Sequence, residues 1–473
     1  MKALPDAAIT LRELSDAPAD RAALAAFYAD IYEQEFPDPD ERESLANIMD
    51  YLQRKSRGWY GLNNYHVLIA ESEDGVVGGC LLDYLERPNA GVIEFLFTSA
   101  GARGSGLGGR LFEHAEQLLR ADAQRAGRAA ISWIAAEMND PYAIPSVPDN
   151  LDPFLRARIW DGWGFGALDF PYVQPALSAE GRPVESLLMI AKLFEPEWRK
   201  GVAAKRVDLL VAEYLRWAMR IETPSENADY RAMAAWLAPR ETVAWDRLKR
   251  VIGEDAPRAF GVLEVRDARA PEFQAAIGVY GRAFATPATA VEPASFVRGL
   301  KRYGESGYRY HLWGIRDEAN RSIAGMASFF SFDGMGFGGY VVLEAGLRGA
   351  GCLRPVLARI EQQMRADDCG VRGWLIECEN DETSAIFAHC GFRALALDYQ
   401  QPILPGAVVA STVPLQLMYK PLGRVYASPV LSGEELLAGL AQVLRYVYRV
   451  DDPQAHATYR SVAAQVDGRV AFD

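Results

Sequence analysis

The spacing of hydrophobic and polar residues predicts short strands and amphipathic helices in a mixed order. The segment at 65–85, YHVLIAESEDGVVGGCLLDYL, holds two apolar runs around a Glu-Asp-Gly turn, which is typical of an antiparallel hairpin. Beyond a glycine-rich stretch, apolar residues recur with the spacing of one helix face, at Leu107, Leu111, Ala115, Leu118 and Leu119. The other elements predicted in the first half are a strand at 8–14, helices at 21–36 and 41–55, a strand at 91–99 and a buried strand at 129–136.

The second half of the chain repeats this pattern. WIAAEMND at 133–140 matches WLIECEND at 374–381, and GFGALDFPYVQPAL at 164–177 matches GFRALALDYQQPIL at 391–404. LRWAMRIETPSENADYR at 215–231 matches LRYVYRVDDPQAHATYR at 444–460 in the same way. The offset between the copies drifts from 245 at the Tyr-His pairs (His311 against His66) to 227 at the Gly-Phe pairs (Gly391 against Gly164). The chain is therefore expected to contain two copies of one ancestral unit.

Each copy is expected to be an α/β unit in which helices flank a mixed central sheet. The predicted domains are 8–200 for the first unit, 201–258 for a helical appendage with a linker at 237–258, 259–423 for the second unit and 424–473 for its appendage. The appendages could pack unit against unit or build a homodimer, and their pattern leaves both open. An insertion at 141–153 with four prolines is either a lid or a longer loop.

Composition restricts the class of protein. The chain has 473 residues, of which half are hydrophobic, and a formal charge of −13, which argues against binding nucleic acid through its phosphates. No apolar run approaches the length of a membrane span, and the start of the sequence has no export pattern. Five scattered cysteines suit reduced thiols in the cytoplasm. We therefore expect a cytoplasmic protein without a membrane or nucleic-acid partner.

The glycine-rich stretch SAGARGSGLGGRLFEHAEQLLR, at 99–120, contains the candidate ligand loop. A bare backbone that leads into a helix can hold a phosphate, because the first N–H groups of the helix are unpaired. The alternative is a tight strand-to-helix turn. A P-loop is excluded because Arg110 follows Gly109, and the dinucleotide pattern of Gly104, Gly106 and Gly109 follows antiparallel strands instead of the first strand of a parallel sheet. The pattern Arg-x-x-Gly-x-Gly, from Arg103 to Gly108, fits best.

With this loop, the order of elements and the ENDETSAIFAHCGF segment at 379–392, the sequence resembles the GCN5-related N-acetyltransferase (GNAT) superfamily in a tandem, two-unit form. The resemblance implies that the loop holds the pyrophosphate of acetyl-CoA, which is a co-substrate, and that no metal is needed. It also implies direct attack of a primary amine on the thioester in a ternary complex. The cofactor-binding residues implied are Phe97, Thr98, Arg103, Gly104, Ser105, Gly106, Leu107, Gly108 and Gly109.

The two copies match the family pattern unequally. In the second unit Leu353 stands where the last glycine of the loop belongs, and Gly339 stands where the first unit has Glu94. The first unit is therefore expected to be catalytic, and the second to be a degenerate copy.

Three side chains of the first unit are candidates for the chemistry. Glu94, on an apolar strand, is the expected general base, since partial burial would raise its pKa; the alternative is a solvent-facing or arginine-paired acid. Glu137 is a second candidate, against the alternative of a strand-end acid in water. The family's usual tyrosine acid is replaced by Trp160, so Tyr142, Tyr172 or water could protonate the leaving thiolate. Tyr172 recurs as Tyr399 and could instead serve the fold.

The acceptor is open to several interpretations. A small primary amine is expected first, and a protein lysine or N-terminus second; the acidic stretch at 32–43 could attract either one or be a solvated loop. His66 and His311 recur at matching strand starts, where a structural role is the commoner finding. Another class of function is a non-catalytic acyl-CoA-binding or interaction protein, and a dinucleotide-dependent oxidoreductase comes third.

Overall fold

The structure is a computed structural model that describes residues 9–73, 75–143, 151–177, 181–284, 290–301, 307–367, 370–403, 412–423, 429–466 and 468–472. The chain divides into two compact units: one comprises Met1–Pro141 with Pro145–Leu248, and the other comprises Tyr142–Ile144 with Lys249–Asp473. Within the described ranges, no helix is both long enough and apolar enough to cross a membrane. Most of the insertion at 141–153 lies outside the described residues.

The first unit alternates strands and helices. A π-helical turn, Tyr28–Tyr32, joins its first two helices. In chain order the elements are β1 (Thr10–Glu13), α1 (Pro18–Phe27), α2 (Glu33–Glu35), α3 (Leu45–Ser56), β2 (Asn64–Ser72), β3 (Gly75–Leu85), β4 (Ala90–Thr98), α4 (Leu107–Arg125), β5 (Trp133–Asn139), α5 (Pro153–Gly162), β6 (Phe165–Leu168), β7 (Leu187–Leu193), β8 (Val202–Ala203), α6 (Ala204–Trp217), α7 (Ala228–Leu237), β9 (Thr242–Val243), β10 (Trp245–Arg247) and, across the division, α8 (Leu248–Val251).

Eight strands of this unit form one mixed sheet in the order β1-β2-β3-β4-β5-β7-β6-β10. Within it β4 and β5 pair in parallel, and the other neighbours are antiparallel. The parallel pairing spans four residues and ends at Ile93 and Ala136. The crossover through α4 makes this parallel pair possible, because antiparallel strands need only a turn between them.

The helical appendage is part of the core of the first unit. Apolar residues of α6, among them Val207, Leu210 and Val211, are buried in one cluster with Ala135 of β5 and Met189 of β7. The appendage therefore covers a face of its own sheet, which accounts for its amphipathic pattern without a dimer.

The segment at 237–258, expected to be a linker, contains a strand of the first sheet. In β10, Trp245 pairs with Leu168 of β6, and its indole N–H donates to the Ala191 carbonyl at 2.9 Å. A Cβ atom at Gly166 would lie 2.4 Å from the Trp245 ring, so this glycine makes room for the tryptophan. The linker expectation missed this strand because three residues are too few for a periodic pattern.

The second unit repeats the first. Its elements are β11 (Phe260–Glu264), α9 (Pro271–Ala283), α10 (Pro293–Lys301), β12 (Tyr308–Asp317), β13 (Ser322–Phe332), β14 (Met335–Leu343), α11 (Leu353–Ala366), β15 (Gly373–Cys378), α12 (Asp381–Ala388), β16 (Arg393–Ala394), β17 (Tyr399–Gln401), β18 (Val413–Pro421), α13 (Gly433–Gln442) and α14 (Ala457–Ala463). The sheet order is β11-β12-β13-β14-β15-β18-β16, β17 also pairs with β18, and β14 and β15 are the parallel pair. The mixed α/β fold with one central sheet in each copy is thus as predicted.

Candidate active site

A β-bulge opens the centre of the first sheet. Leu81 of β3 lies opposite Phe95 and Leu82 lies opposite Ile93, so that Glu94 between them has no partner on β3. The parallel pairing with β5 stops at Ile93. From Glu94 onward, the β5-facing edge of β4 is therefore free of strand pairing, and the bulge changes the direction in which the Glu94 side chain points.

Glu94 shares a hydrogen bond with Asp83, a β3 residue that is only 1% exposed. Burial and the neighbouring charge of Asp83 raise the pKa of Glu94 well above its usual range. Burial raises the pKa of Asp83 to about 6, although the hydrogen bond from Glu94 and the charge of Arg220 lower it. Near neutral pH the pair therefore holds one proton, carried by Glu94, and one negative charge, carried by Asp83.

Arg220 is the nearby cation, and aromatic rings surround it. Its guanidinium carbon lies 4.1 Å from the ring centre of Tyr51 and 4.7 Å from that of Trp59, and Nη2 donates to the Tyr60 hydroxyl at 2.6 Å. The residue has φ +55° and lies just after the C-terminus of α6, in the helical appendage. The appendage thus supplies the positive charge that faces Asp83.

Three buried polar atoms of this cluster have no hydrogen-bond partner among the described residues: the Tyr65 hydroxyl, Asp83 Oδ2 and Arg220 Nε. Tyr65 lies directly opposite Asp83 in the pairing of β2 with β3. Buried polar groups are rarely left unpaired, since their desolvation is costly. Such a cluster suits a polar ligand.

The glycine loop lies between β4 and α4. Gly104 and Gly106 have φ of +79° and +85°, and a Cβ atom at either position would meet no other atom within 4 Å. The first N–H groups of α4 have no intrahelical acceptor; Leu107 N–H turns to Ser105 Oγ at 3.3 Å, and helical bonding starts with Arg110 N–H on the Gly106 carbonyl. The loop therefore has the open backbone and the helix terminus that an anion needs.

The side chain of Arg103 contacts another element of the first unit. Its guanidinium pairs with Glu35 of α2 at 2.5 Å, which ties the loop to the acidic stretch. In that stretch Asp38 accepts the backbone N–H of Asp40 at 2.9 Å, and Glu33 lies 3.6 Å from Arg42. These acids therefore make local contacts within the first unit.

Phe97 and Thr98 form the end of β4, beside the loop. Phe97 belongs to an aromatic cluster in which Phe36 contacts both Phe95, at 4.9 Å between ring centres, and Phe97, at 5.5 Å. Thr98 pairs with Gly78 of β3. The cluster forms an apolar wall next to the free edge of β4.

Glu137 forms a second carboxyl centre, the first residue of β5 beyond the parallel pairing. The hydroxyl groups of Tyr172 and, at 3.2 Å, of Tyr214 donate to it. Burial raises its pKa to about 7 in spite of these bonds, and burial together with Glu137 raises the pKa of Tyr172 well above its usual range. Glu137 is therefore no strand-end acid in water, and the proton of Tyr172 is held by a carboxylate.

Two other residues considered from the sequence, His66 and Trp160, contact neighbouring side chains of the first unit. His66 lies between Glu13 Oε1 and Asp122 Oδ2, both at 2.7 Å from its ring nitrogens. Trp160 packs edge-on against Phe165 of β6 at 4.7 Å. His66 thus joins β1 to α4, and Trp160 is part of an aromatic core.

The second unit has the same architecture at this place. Gly339 is the unpaired residue of a β13–β14 bulge, and Gly349 and Gly351 have φ of +77° and +73° in a loop of the same shape. Beside them lies a cavity of about 800 Å³.

The sequence repeat aligns Trp133 with Trp374, but in the strand pairing these two residues are one position out of register. The parallel pairing ends at Ala136 in β5 and at Ile376 in β15, so Glu137 corresponds to Glu377. Glu377 also receives two tyrosine hydroxyls, from Tyr399 at 2.6 Å and Tyr448 at 2.7 Å. The sequence comparison missed this equivalence because it aligned the tryptophans, of which Trp133 packs against the α6 side and Trp374 donates to Glu361 of α11.

Sequence reasoning also missed Asp83 and Arg220 as members of the site. Asp83 lies in an apolar strand segment, LLDYL, where a buried carboxylate is costly and so signals a special environment. Arg220 recurs as Arg449, and both have positive φ. These two signals could have found them.

The comparisons with known proteins agree with this geometry. Residues 25–145 match the family model described as Acetyltransferase (GNAT) family. No curated protein gives a significant sequence match.

Solved structures that resemble the chain do so at low identity. A tandem GNAT protein from the clavulanic acid biosynthesis pathway is 14% identical, covers 89% of this chain and 100% of its own, and has a TM-score of 0.26. A ribosomal-protein-alanine N-acetyltransferase from Brucella melitensis is 22% identical over 39% of this chain and 99% of its own, with a TM-score of 0.27. A GNAT-family acetyltransferase from Staphylococcus aureus Mu50 is 16% identical, covers 39% of this chain and 100% of its own, and also has a TM-score of 0.27.

The family match covers α3, β2, β3, β4, the glycine loop, α4 and β5, which are the elements that form the site. Residues 25–145 are thus similar to the acetyltransferase (GNAT) family.

Proposed function

We propose that this protein is an acetyl-CoA-dependent N-acetyltransferase that acts on a primary amine, with the first unit as the catalytic one. The observation that carries the proposal is the Asp83–Glu94 pair. It places one exchangeable proton and one negative charge on the bulge of β4, beside the free edge of that strand.

The residues of the loop fit acetyl-CoA. The open space above Gly104 and Gly106 and the unpaired N–H groups at the start of α4 suit a pyrophosphate. The backbone of Phe97 and Thr98, without a β5 partner, suits the amide-bearing arm. Bound there, acetyl-CoA supplies the acyl group as a thioester. Arg103 supports the loop through Glu35.

The Asp83–Glu94 pair accepts the proton that the amine has to lose. A primary amine with a pKa near that of lysine, ~10.4, arrives protonated and has to lose that proton before it can attack. Glu94 accepts the proton on its free oxygen while its own proton passes to Asp83 along their hydrogen bond. The negative charge of the pair also attracts the ammonium group, and the rings around Arg220 offer cation–π contacts.

The carboxyl centre at Glu137 holds Tyr172 in place. Because the Tyr172 hydroxyl donates to Glu137 and its pKa is raised, the residue acts through Glu137, and water protonates the departing thiolate. The acceptor is a small amine or, as a second form, an amine of a protein. A cytoplasmic location stays a prediction from the sequence.

The first experiment is calorimetric titration of the full chain with acetyl-CoA. Gly104→Trp is expected to abolish binding at the first unit, because its side chain fills the cradle. Gly127→Trp is the matched control: Gly127 has φ +76° against +79° for Gly104, and it too has nothing within 4 Å. Equal binding by the two variants would contradict the loop assignment.

The second experiment measures release of coenzyme A with a panel of primary amines. Glu94→Gln is expected to lower kcat by about 10²- to 10⁴-fold, the usual contribution of a general base, without weakening acetyl-CoA binding. Glu73→Gln, on an exposed turn, is the control and keeps full activity. Binding without turnover for every amine would support the alternative, a non-catalytic acyl-CoA-binding protein.

A further inference from the structure

The second unit contains a cavity of about 800 Å³ at the opening between β14 and β15. Its walls are mostly aromatic and aliphatic, with Phe284, Phe296, Phe330, Phe337 and Tyr340 among them. Volumes of this order are typical of sites for small molecules, which are largely apolar with a few polar groups.

The walls carry no carboxyl at the positions of the first unit's acid pair. Tyr310 lies opposite Phe330 as Tyr65 lies opposite Asp83, so Asp83 corresponds to Phe330. Glu94 corresponds to the bulge residue Gly339, and both replacements line the cavity. Ser328 is hydrogen-bonded to Tyr310, the counterpart of Tyr65. The place that is acidic in the first unit is therefore neutral here. Gly339 adds no side chain to the cavity, and a Cβ atom at this position would lie 2.9 Å from Ser328 Oγ.

Two carboxyls line the cavity away from the bulge, Glu377 and Glu379, and Glu377 is held by hydrogen bonds. Tyr399 and Tyr448 donate to Oε1, and Gln401 and Tyr448 donate to Oε2, all between 2.6 and 2.8 Å. Three donors, of which the Tyr448 hydroxyl lies within reach of both oxygens, thus hold this carboxyl in place within the unit.

One end of the cavity is an anion-binding loop. Arg348, Gly349 and Gly351 line it, and the two glycines have the backbone conformation of Gly104 and Gly106. Leu353, at the position of Gly108, begins the 14-residue helix α11 and lines the cavity without altering that conformation. A loop suited to an anion thus continues into an apolar chamber.

We propose that the second unit binds acyl-CoA thioesters whose acyl group is large and apolar, and holds them without transferring the acyl group. The loop takes the phosphate end, the chamber takes the chain, and no base stands at the bulge to activate an amine. This assignment holds whether or not the first unit acetylates amines. It also means that the departures from the family pattern at Gly339 and Leu353 change the ligand and not only the activity.

The test is calorimetric titration of full-length Gly104→Trp, in which the first loop is blocked, with acetyl-CoA and octanoyl-CoA. Each buried methylene favours binding about fourfold, so six more methylenes are expected to tighten binding at least 30-fold, at one site per chain. Octanoyl-CoA binding no tighter than acetyl-CoA binding would overturn the proposal.

Gly339→Glu, which restores the residue of the first unit, is expected to weaken octanoyl-CoA binding at least 10-fold and to leave coenzyme A binding unchanged. The matched control is Gly281→Glu, on an exposed face of α9 with nothing within 4 Å, which keeps wild-type affinity. If Gly339→Glu does not fold, Phe330→Asp carries the same expectation, since an aspartate occupies that place in the first unit. Unchanged affinity in the folded variant would overturn the proposal.

Two further experiments test the class of ligand and the absence of acyl transfer. Octyl phosphate that binds as tightly as octanoyl-CoA, with the same sensitivity to Gly339→Glu, would overturn the coenzyme A assignment in favour of phosphorylated amphiphiles in general. Release of coenzyme A from octanoyl-CoA with amines by the Gly104→Trp protein would overturn the claim that the second unit does not transfer.

Discussion

Glu94 of the first unit and Gly339 of the second are the same residue of the same β-bulge. Each is the unpaired residue on the fourth strand of its sheet, next to the point where the parallel pairing ends. In one copy this place holds a carboxyl with a strongly raised pKa, and in the other it is part of a cavity wall. The two copies thus share the β-bulge but differ in the side chain at its unpaired position.

The pH dependence of acetyl transfer follows from the acid pair. Asp83 has its pKa raised to about 6, and Glu94 stays protonated above that value. The pair can accept a proton only when Asp83 is ionised, so kcat/KM is expected to rise through pH about 6, as measured by coenzyme A release between pH 5 and 8. Asp83→Asn removes that rise. A profile that is flat across this range in wild type would contradict the assignment of the pair as base.

The same pair is expected to cost stability. An acid whose pKa is raised on folding stabilises the folded state below its unfolded pKa of ~3.9, and that stabilisation is lost as the pH rises through the folded value of about 6. Asp83→Asn is therefore expected to raise the Tm at pH 8 relative to wild type, with a smaller gain at pH 5, while activity falls. Thermal unfolding at both pH values checks this. An equal Tm gain at both pH values would show that ionisation of Asp83 is not the cause.

The fold and the site differed in how far the sequence could predict them. The β3–β4 segments and α4 have strong period-two and helical patterns, and their positions were predicted closely. Glu94 was singled out because it is a carboxyl in an apolar strand, but the bulge around it was not predicted, and its role as base stays a prediction. Arg220 was missed although it recurs as Arg449, because it reaches the site from a separate helical segment and such a contact depends on tertiary packing. The equivalence of Glu137 and Glu377 was hidden because Trp133 and Trp374 suggested a false register.

Tyr172 and its duplicate Tyr399 allow a test of the second carboxyl centre. Both hydroxyls donate to the carboxyl beyond the parallel pairing of their own unit. If both serve the fold, Tyr172→Phe and Tyr399→Phe each remove one buried hydrogen bond and lower the free energy of unfolding by about 1–3 kcal/mol. Acetyl transfer per folded molecule is then expected to fall less than about threefold in either variant. A 100-fold loss of kcat in Tyr172→Phe alone would identify that residue as the acid for the thiolate.

The raised pKa of His311 predicts that the folded protein loses stability as the pH rises above neutral. Its ring nitrogens lie 3.1 Å from Glu264 and 3.2 Å from Asp367, and these carboxylates raise its pKa to about 9 although burial opposes them. A histidine whose pKa is raised on folding stabilises fully below its unfolded value of ~6.5 and loses that contribution as the pH rises through the folded value. The Tm of wild type is therefore expected to fall between pH 6.5 and 9 relative to that of His311→Gln, which keeps hydrogen-bonding capacity without the charge. His66→Gln in the first unit is the parallel variant, since the pKa of His66 is also raised by two carboxylates. Parallel Tm curves for wild type and His311→Gln across this range would mean that the histidine is neutral in the folded protein, and that its carboxylate partners act only as hydrogen-bond acceptors.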